Sequence, residues 1–127
     1  MWIIKHYFKE LILNFNSGTI AYYFHRITGI GLSIYLFLHI WTLSYARFGE
    51  EAFNHSLEKW DNTMGHLFEY FLLLAVAFHL FNGVRIMLAE FFNLSRVHLR
   101  LLYWSVAICF FIAVYGLFLF FPEIFHL

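Results

Sequence analysis

Charge is scarce in this chain. Lys, Arg, Asp and Glu together supply 13% of its 127 residues, against about a quarter in soluble domains. With 62% of residues apolar, a chain this short has too little interior to hide them from water, which excludes an ordinary soluble domain. The few charges cancel to zero, which removes the bulk electrostatic case for binding nucleic acid. Cysteine occurs once, as Cys109 inside an apolar run. It can form no internal disulfide, makes no metal-binding pattern by itself, and reads as a small packing residue. A secretory signal is also lacking. Met1–Ile12 mixes Lys5, Lys9 and Glu10 with aromatics and has no apolar stretch followed by a small-residue cleavage site. This segment is expected to lie as an amphipathic helix on a membrane surface. There are no internal repeats, low-complexity tracts or linkers, so residues 1–127 are expected to be one domain.

What is present is aromatic and apolar, with 18 Phe, a usage suited to wide helix faces against acyl chains. Ile27–Ala46 runs 20 residues and Leu101–Phe121 runs 21 without a formal charge. Each is long enough for a hydrocarbon core of about 30 Å at about 1.5 Å per residue. Tyr70–Val84 is shorter, 15 uncharged residues between Glu69 and Arg85, and spans when extended to His66–Glu90. The expected fold class is therefore an all-α membrane protein. Its three transmembrane helices lie at about 25–46, 66–90 and 100–121, after the short amphipathic segment. Gly29, Gly31, Gly83 and Gly116 mark places of close helix approach. Asn14–Thr19 reads as the turn and N-cap leading into the first span.

Lys5, Lys9 and Arg26 precede or open the first span, and Arg85, Arg96 and Arg100 gather around the turn between the second and third. The loop between the first two spans holds Arg47 and Lys59 among Glu50, Glu51, Glu58 and Asp61. By the positive-inside rule the N-terminus faces the cytoplasm of a bacterial or archaeal cell (or, less favoured, a mitochondrial matrix), and the acidic loop faces outward. Trp41, Trp60 and Trp104 fall near helix ends, as interfacial anchors do.

Two histidines, His39 and His79, sit well inside spans. A polar side chain in lipid is costly and has a partner. Two readings stay open: hydrogen bonding to a neighbouring helix, or axial ligation of b-type haem. Gly83, one turn after His79, gives the flat space a porphyrin needs. His25 lies 14 residues before His39, close to four turns, on the same stripe of the first helix. His39 lies about 20 Å from the cytoplasmic boundary and His79 about 9 Å from it, roughly 10 Å apart in depth. If both are ligands they serve two different haems. Each iron then takes its other His from a second chain, since the third span has none. That makes this chain half of a two-subunit bundle. His25, Arg26 and Arg85 are the candidate cations for haem propionates. Interfacial charge alone explains Arg96 and Arg100. His6, His55, His98 and His126 lie in terminal or loop segments and receive no role, and His66 stays ambiguous.

Two stretches carry a resemblance. Gly18–Trp41, GTIAYYFHRITGIGLSIYLFLHIW, resembles the His-Arg opening of helix 1 in the cytochrome b subunits of succinate dehydrogenase and fumarate reductase. Ala77–Phe91, AFHLFNGVRIMLAEF, resembles their helix 2 pattern H-x3-G-[IV]-R-H-x3-[DE]-F. The resemblance covers about residues 14–121. It implies a complex in which a flavoprotein subunit oxidises succinate, an iron–sulfur subunit carries electrons to the membrane, and two small anchors or one fused anchor bind haem b and reduce quinone. It implies that His79 is an axial ligand and that Arg26, beside His25, lies near the quinone and a propionate. The family's quinone-contacting Ser aligns with Tyr22, a departure consistent with a different quinone such as menaquinone, with menaquinone and ubiquinone both open as the substrate. The basic residue after the family's Arg is Ile86 here. His39 matches the two-haem members of the family. The chain then carries electrons rather than making bonds in the dicarboxylate. Rival readings are a haem b subunit of another membrane dehydrogenase or hydrogenase, a haem-free anchor, or a small transporter subunit. Intramembrane carboxylates would favour the last, but Glu69 and Glu90 both sit at helix ends.

Overall fold

The computed structural model describes residues 1–125, and the described residues form helices without any strand. Helix α1 is Trp2–Leu13, α2 is Ser17–Ser44, α3 is Glu50–Glu58, α4 is Thr63–Phe91 and α5 is His98–Ile124. Short 3₁₀ turns at Tyr45–Phe48 and Ser95–Val97 extend α2 and lead into α5. Three stretches, Ser17–Phe48, Thr63–Phe91 and Ser95–Ile124, are long and apolar enough to cross a membrane. They are the three helices expected from the charge-free runs, each longer than its apolar centre.

The boundaries have local causes. Asn16 caps α2 by accepting from the Thr19 N–H at 2.9 Å, and Asn62 caps α4 by accepting from the Gly65 N–H at 2.8 Å. Each satisfies one of the amide groups that a helix start leaves open. Gly49, at φ 105°, takes the positive dihedral that separates the 3₁₀ turn from α3. Asn93 does the same after α4 at φ 53°, and the Leu94 N–H returns to the Ala89 carbonyl at 3.0 Å. That pattern ends a helix with its carbonyls satisfied, and Asn tolerates the left-handed conformation better than most residues.

Small side chains let the spans meet. Among the described residues, Ala21, Ala77 and Leu102 form the buried apolar set. Gly116 lies against Leu73 and Tyr70 where α5 crosses α4, and the Tyr70 hydroxyl donates to the Ala113 carbonyl at 2.9 Å. Most of the larger apolar side chains, from Phe24, Phe37 and Trp41 on α2 to Phe111 and Phe118 on α5, are exposed. Packing within lipid does not gain from hiding them, so a thin core is what a three-helix membrane subunit can be expected to show.

Helix α1 stands apart. Ile3, Ile4, Tyr7, Phe8, Leu11 and Ile12 project on one side by the 100° turn per residue, with Lys5, His6, Lys9 and Glu10 on the other. Trp2 stacks on His6, ring centroids 5.5 Å apart. This is the amphipathic segment expected from the sequence.

Candidate functional site

The centre of interest lies where the N-terminal third of α2 crosses the middle of α4. His25, from α2, and His79, from α4, stack face to face, ring centroids 4.0 Å apart and planes within 6°. The His79 Nδ1 lies 3.1 Å from the His25 backbone carbonyl and 3.1 Å from the Thr28 hydroxyl. A carbonyl oxygen can only accept, so His79 carries its proton on Nδ1. Its Nε2 makes no hydrogen bond among the described residues, yet it is not one of the enclosed unpaired atoms, which are His25 Nδ1 and Asn82 Nδ2. A histidine pinned through one nitrogen and open at the other is arranged as metal-binding histidines are.

Two glycines face the rings, and only Gly29 is tight against one. A Cβ on Gly29 would stand 3.0 Å from the His79 ring, closer than the ring could accept without shifting. A Cβ on Gly83 would stand 3.5 Å from the His25 ring. The sequence assigned Gly83 to the space beside His79. In the structure it faces His25, and Gly29 serves His79. The cause is the relative height of the two helices. His79 sits opposite residues 25–29 of α2, so His39, ten residues beyond Gly29, lies about 15 Å further along that helix. The separation is larger than the expected 10 Å, and the two histidines are too far apart to share one iron.

Arg85, one of the candidate propionate cations, is buried, and its Nε donates to the Asn82 Oδ1 at 3.0 Å. Asn82 is fully enclosed. Arg26 points outward, as an interfacial cation does. It donates to the Tyr22 hydroxyl at 2.8 Å, with its guanidinium 5.6 Å from that ring. Tyr22 and Arg26 thus form one exposed polar pair one turn apart, next to the stacked histidines.

His39 is exposed on α2. Its Nδ1 lies 3.1 Å from the Tyr35 hydroxyl, within its own helix. It lines a cavity of about 250 Å³ together with Tyr35, Thr42, Trp60 and Glu69. Among the described residues it makes no hydrogen bond to another helix. His66 is drawn into a cluster at the outer end: Nε2 lies 3.2 Å from Asp61, and Nδ1 lies 3.3 Å from Glu69 and 3.6 Å from Glu123. His126 lies outside the described residues.

Thr28, Gly29, Asn82 and the His66 cluster were not singled out as site residues from sequence. Thr28 and Gly29 follow His25-Arg26 in the quoted motif, and that adjacency was the available signal. Asn82 had a weaker one, as an amide on an otherwise apolar helix.

No group of three or more His, Cys, Asp or Glu suited to a metal ion occurs among the described residues. Axial haem ligation needs only one histidine from each side. The pinned His79, its open Nε2 and the Gly29 recess fit that group, and the enclosed, unpaired Nδ1 of His25 leaves a polar need beside it.

The family model described as "Succinate dehydrogenase/Fumarate reductase transmembrane subunit" matches residues 6–126. The chain belongs to this family. Among the relatives of this transmembrane subunit is the succinate dehydrogenase 2 membrane subunit SdhC of Mycobacterium tuberculosis. It is 30% identical over 91 residues, which is 72% of this chain and 67% of that one. The succinate dehydrogenase hydrophobic membrane anchor subunit of Halobacterium salinarum is 35% identical over 77 residues, 60% of this chain and 59% of that one. The matched stretches thus cover about two thirds or less of these relatives. Membership agrees with the resemblance carried by the two quoted motifs and with an integral membrane location.

Proposed function

We propose that this subunit is the haem b-binding membrane anchor of a succinate:quinone oxidoreductase or quinol:fumarate reductase. In this reading it binds an iron–sulfur subunit and, through it, a flavoprotein subunit, and it pairs in the membrane with a second small anchor. The observation that carries the reading is the His79 imidazole, held at Nδ1 by α2 and open at Nε2. Haem b, when bound, supplies a one-electron carrier between the iron–sulfur partner and quinone. His79 would hold the haem from this chain, and a histidine of the partner anchor would supply the second ligand. Arg85, oriented by Asn82, and His25 supply the positive and polar groups suited to a propionate. The Tyr22–Arg26 pair would bind a quinone oxygen by charge-assisted hydrogen bonding. Its exposure next to the stacked histidines supports that role.

The test is the dithionite-reduced visible spectrum of the intact complex with its haem count. Reduced b-type bands are expected, with two haems per complex. A colourless complex would leave the anchor role standing without a redox one.

His39 is the second ligand in this reading, serving a haem nearer the outer face. His39→Ala is expected to halve the haem content and leave the inner pigment intact. Full haem content in that variant would return His39 to a bond with Tyr35 alone.

Arg26→Ala is expected to lower quinone turnover at least tenfold, with haem content and complex yield near normal. A single charge-assisted hydrogen bond of about 1.5–3 kcal/mol is enough for that loss. Unchanged quinone kinetics would remove Arg26 from the site.

A further inference from the structure

We infer that Thr28 is the positioning residue for the iron-ligating histidine. Its hydroxyl, together with the His25 carbonyl, holds the His79 ring in the tautomer that leaves Nε2 free to bind iron. The inference rests on His79 being the haem ligand. It goes further in saying which side chain shares that ligand's proton and tunes its strength.

The hydrogen-bond inventory dictates the roles. A threonine hydroxyl has one proton and two lone pairs. The Thr28 Oγ1 lies 2.8 Å from the Phe24 carbonyl and 3.0 Å from the His25 carbonyl, so its proton is directed back into its own helix. A lone pair remains, and the nearest donor is the His79 Nδ1–H across the helix crossing, 3.1 Å away. Threonines in helix interiors bond back to a carbonyl of the preceding turn. Thr28 does this and also receives a bond from α4. Beside it, Gly29 offers the recess in which the ring lies. Thr28-Gly29 therefore works as a unit: the hydroxyl shares the Nδ1–H with the His25 carbonyl, which fixes the tautomer, and the missing side chain gives the ring its place.

Acceptance from Nδ1–H makes the imidazole a stronger donor to iron at Nε2. A stronger donor favours ferric over ferrous iron, so removing the hydroxyl should make that haem easier to reduce. A threonine that merely tied α2 to α4 would leave the redox equilibrium unmoved.

The test compares Thr28→Val, which keeps the shape without the hydroxyl, with Thr28→Ser, which keeps the hydroxyl, both as the intact complex. Haem content, a redox titration and imidazole ¹⁵N shifts of histidine-labelled complex are measured. In Thr28→Val the His25 carbonyl still holds the ring. We expect the inner haem's reduction equilibrium to move toward the ferrous form by about tenfold, or about 59 mV for one electron, with Thr28→Ser returning it to the parent value. Loss of the inner haem from an assembled Val complex, with the Ser complex retaining it, supports the inference equally. A parent-like potential and parent-like ring-nitrogen shifts in Thr28→Val overturn it. Thr28→Ala is a second hydroxyl-free variant. If neither it nor Thr28→Val assembles while Thr28→Ser does, Thr28 is a folding residue and the inference fails. A colourless parent complex ends the haem reading whatever Thr28 does. The nitrogen shifts then still report on its hold on the ring: an Nδ1–H form in the parent that becomes mixed in Thr28→Val supports that hold, and identical shifts overturn it.

Discussion

Replacing His79 by alanine will remove the haem nearer the cytoplasmic face and leave the three-helix subunit assembled. The two outcomes separate because different forces govern them. Interhelical polar bonds in membranes contribute about 0.6 kcal/mol each on average. The two that His79 makes to α2 are thus a small part of what holds the spans. Contacts such as Tyr70 with Ala113 and Gly116 with Leu73 lie elsewhere and remain. Ligation is different, since an iron that loses one of two axial imidazoles has no nearby substitute. His25 is stacked on His79, but its Nδ1 has no hydrogen-bond partner, so nothing pins its ring for ligation as α2 pins that of His79. The expected result is a complex of normal subunit composition lacking the inner b-type band. Full inner haem content in a stable His79→Ala complex would defeat the ligand assignment, and with it the main support for an electron-carrying role.

Gly65→Ala is expected to destabilise the outer end of the subunit severely. A Cβ at this position would fall on the carbonyl oxygen of Trp60 and lie 2.8 Å from its carbonyl carbon. Both are main-chain atoms, and no rotamer change can clear them. The backbone of the turn must move instead. That loosens the cap in which Asn62 accepts from the Gly65 N–H and the turn in which the Asn62 N–H donates to the Trp60 carbonyl. A cap is worth about 1 kcal/mol and a turn hydrogen bond about the same. With added strain, a loss of about 2–4 kcal/mol is reasonable. Unfolding of the complex in a detergent titration should show it. Gly65 and Trp60 both line the cavity beside His39, so the outer pigment should be lost before the inner one. An alanine variant as stable as the parent would show that the turn can rearrange freely.

The spans were legible because lipid imposes a length and forbids charge, and both are written in single runs such as Leu101–Phe121. The N-cap before α2 was legible for a similar reason, since capping chemistry is local. What could not be read was the height of one helix against another. The connection from Ser44 to Thr63 holds a 3₁₀ turn, α3 and a capped turn, and no periodicity encodes how far it lets α4 slide along α2. That one unknown decided several pairings: Gly29 rather than Gly83 beside His79, Thr28 on its ring nitrogen, and a longer gap to His39. The burial of Arg85 was not legible either: a cation six residues before a helix end looks interfacial by position, and only Asn82, on its Nε, shows that it has been drawn inside.

The gathering of Asp61, Glu69 and Glu123 around His66 has a consequence for a polypeptide whose formal charge is zero. With Glu50, Glu51 and Glu58 these carboxylates crowd one end, while Lys5, Lys9, Arg26, Arg85, Arg96 and Arg100 occupy the other. Allowing for Arg47 and Lys59 among the acids and for Glu10 and Glu90 among the bases, each end retains a surplus of four charges of opposite sign. Neutral in sum, the subunit is an electric dipole standing across the bilayer. In an energised cell, negative within, each elementary charge moved across is worth about 2.3 kcal/mol per 100 mV. Inverting the molecule would oppose that voltage by on the order of 18 kcal/mol per 100 mV. The membrane potential therefore acts to keep the basic end, with its stacked histidines, on the negative, inner side of the membrane.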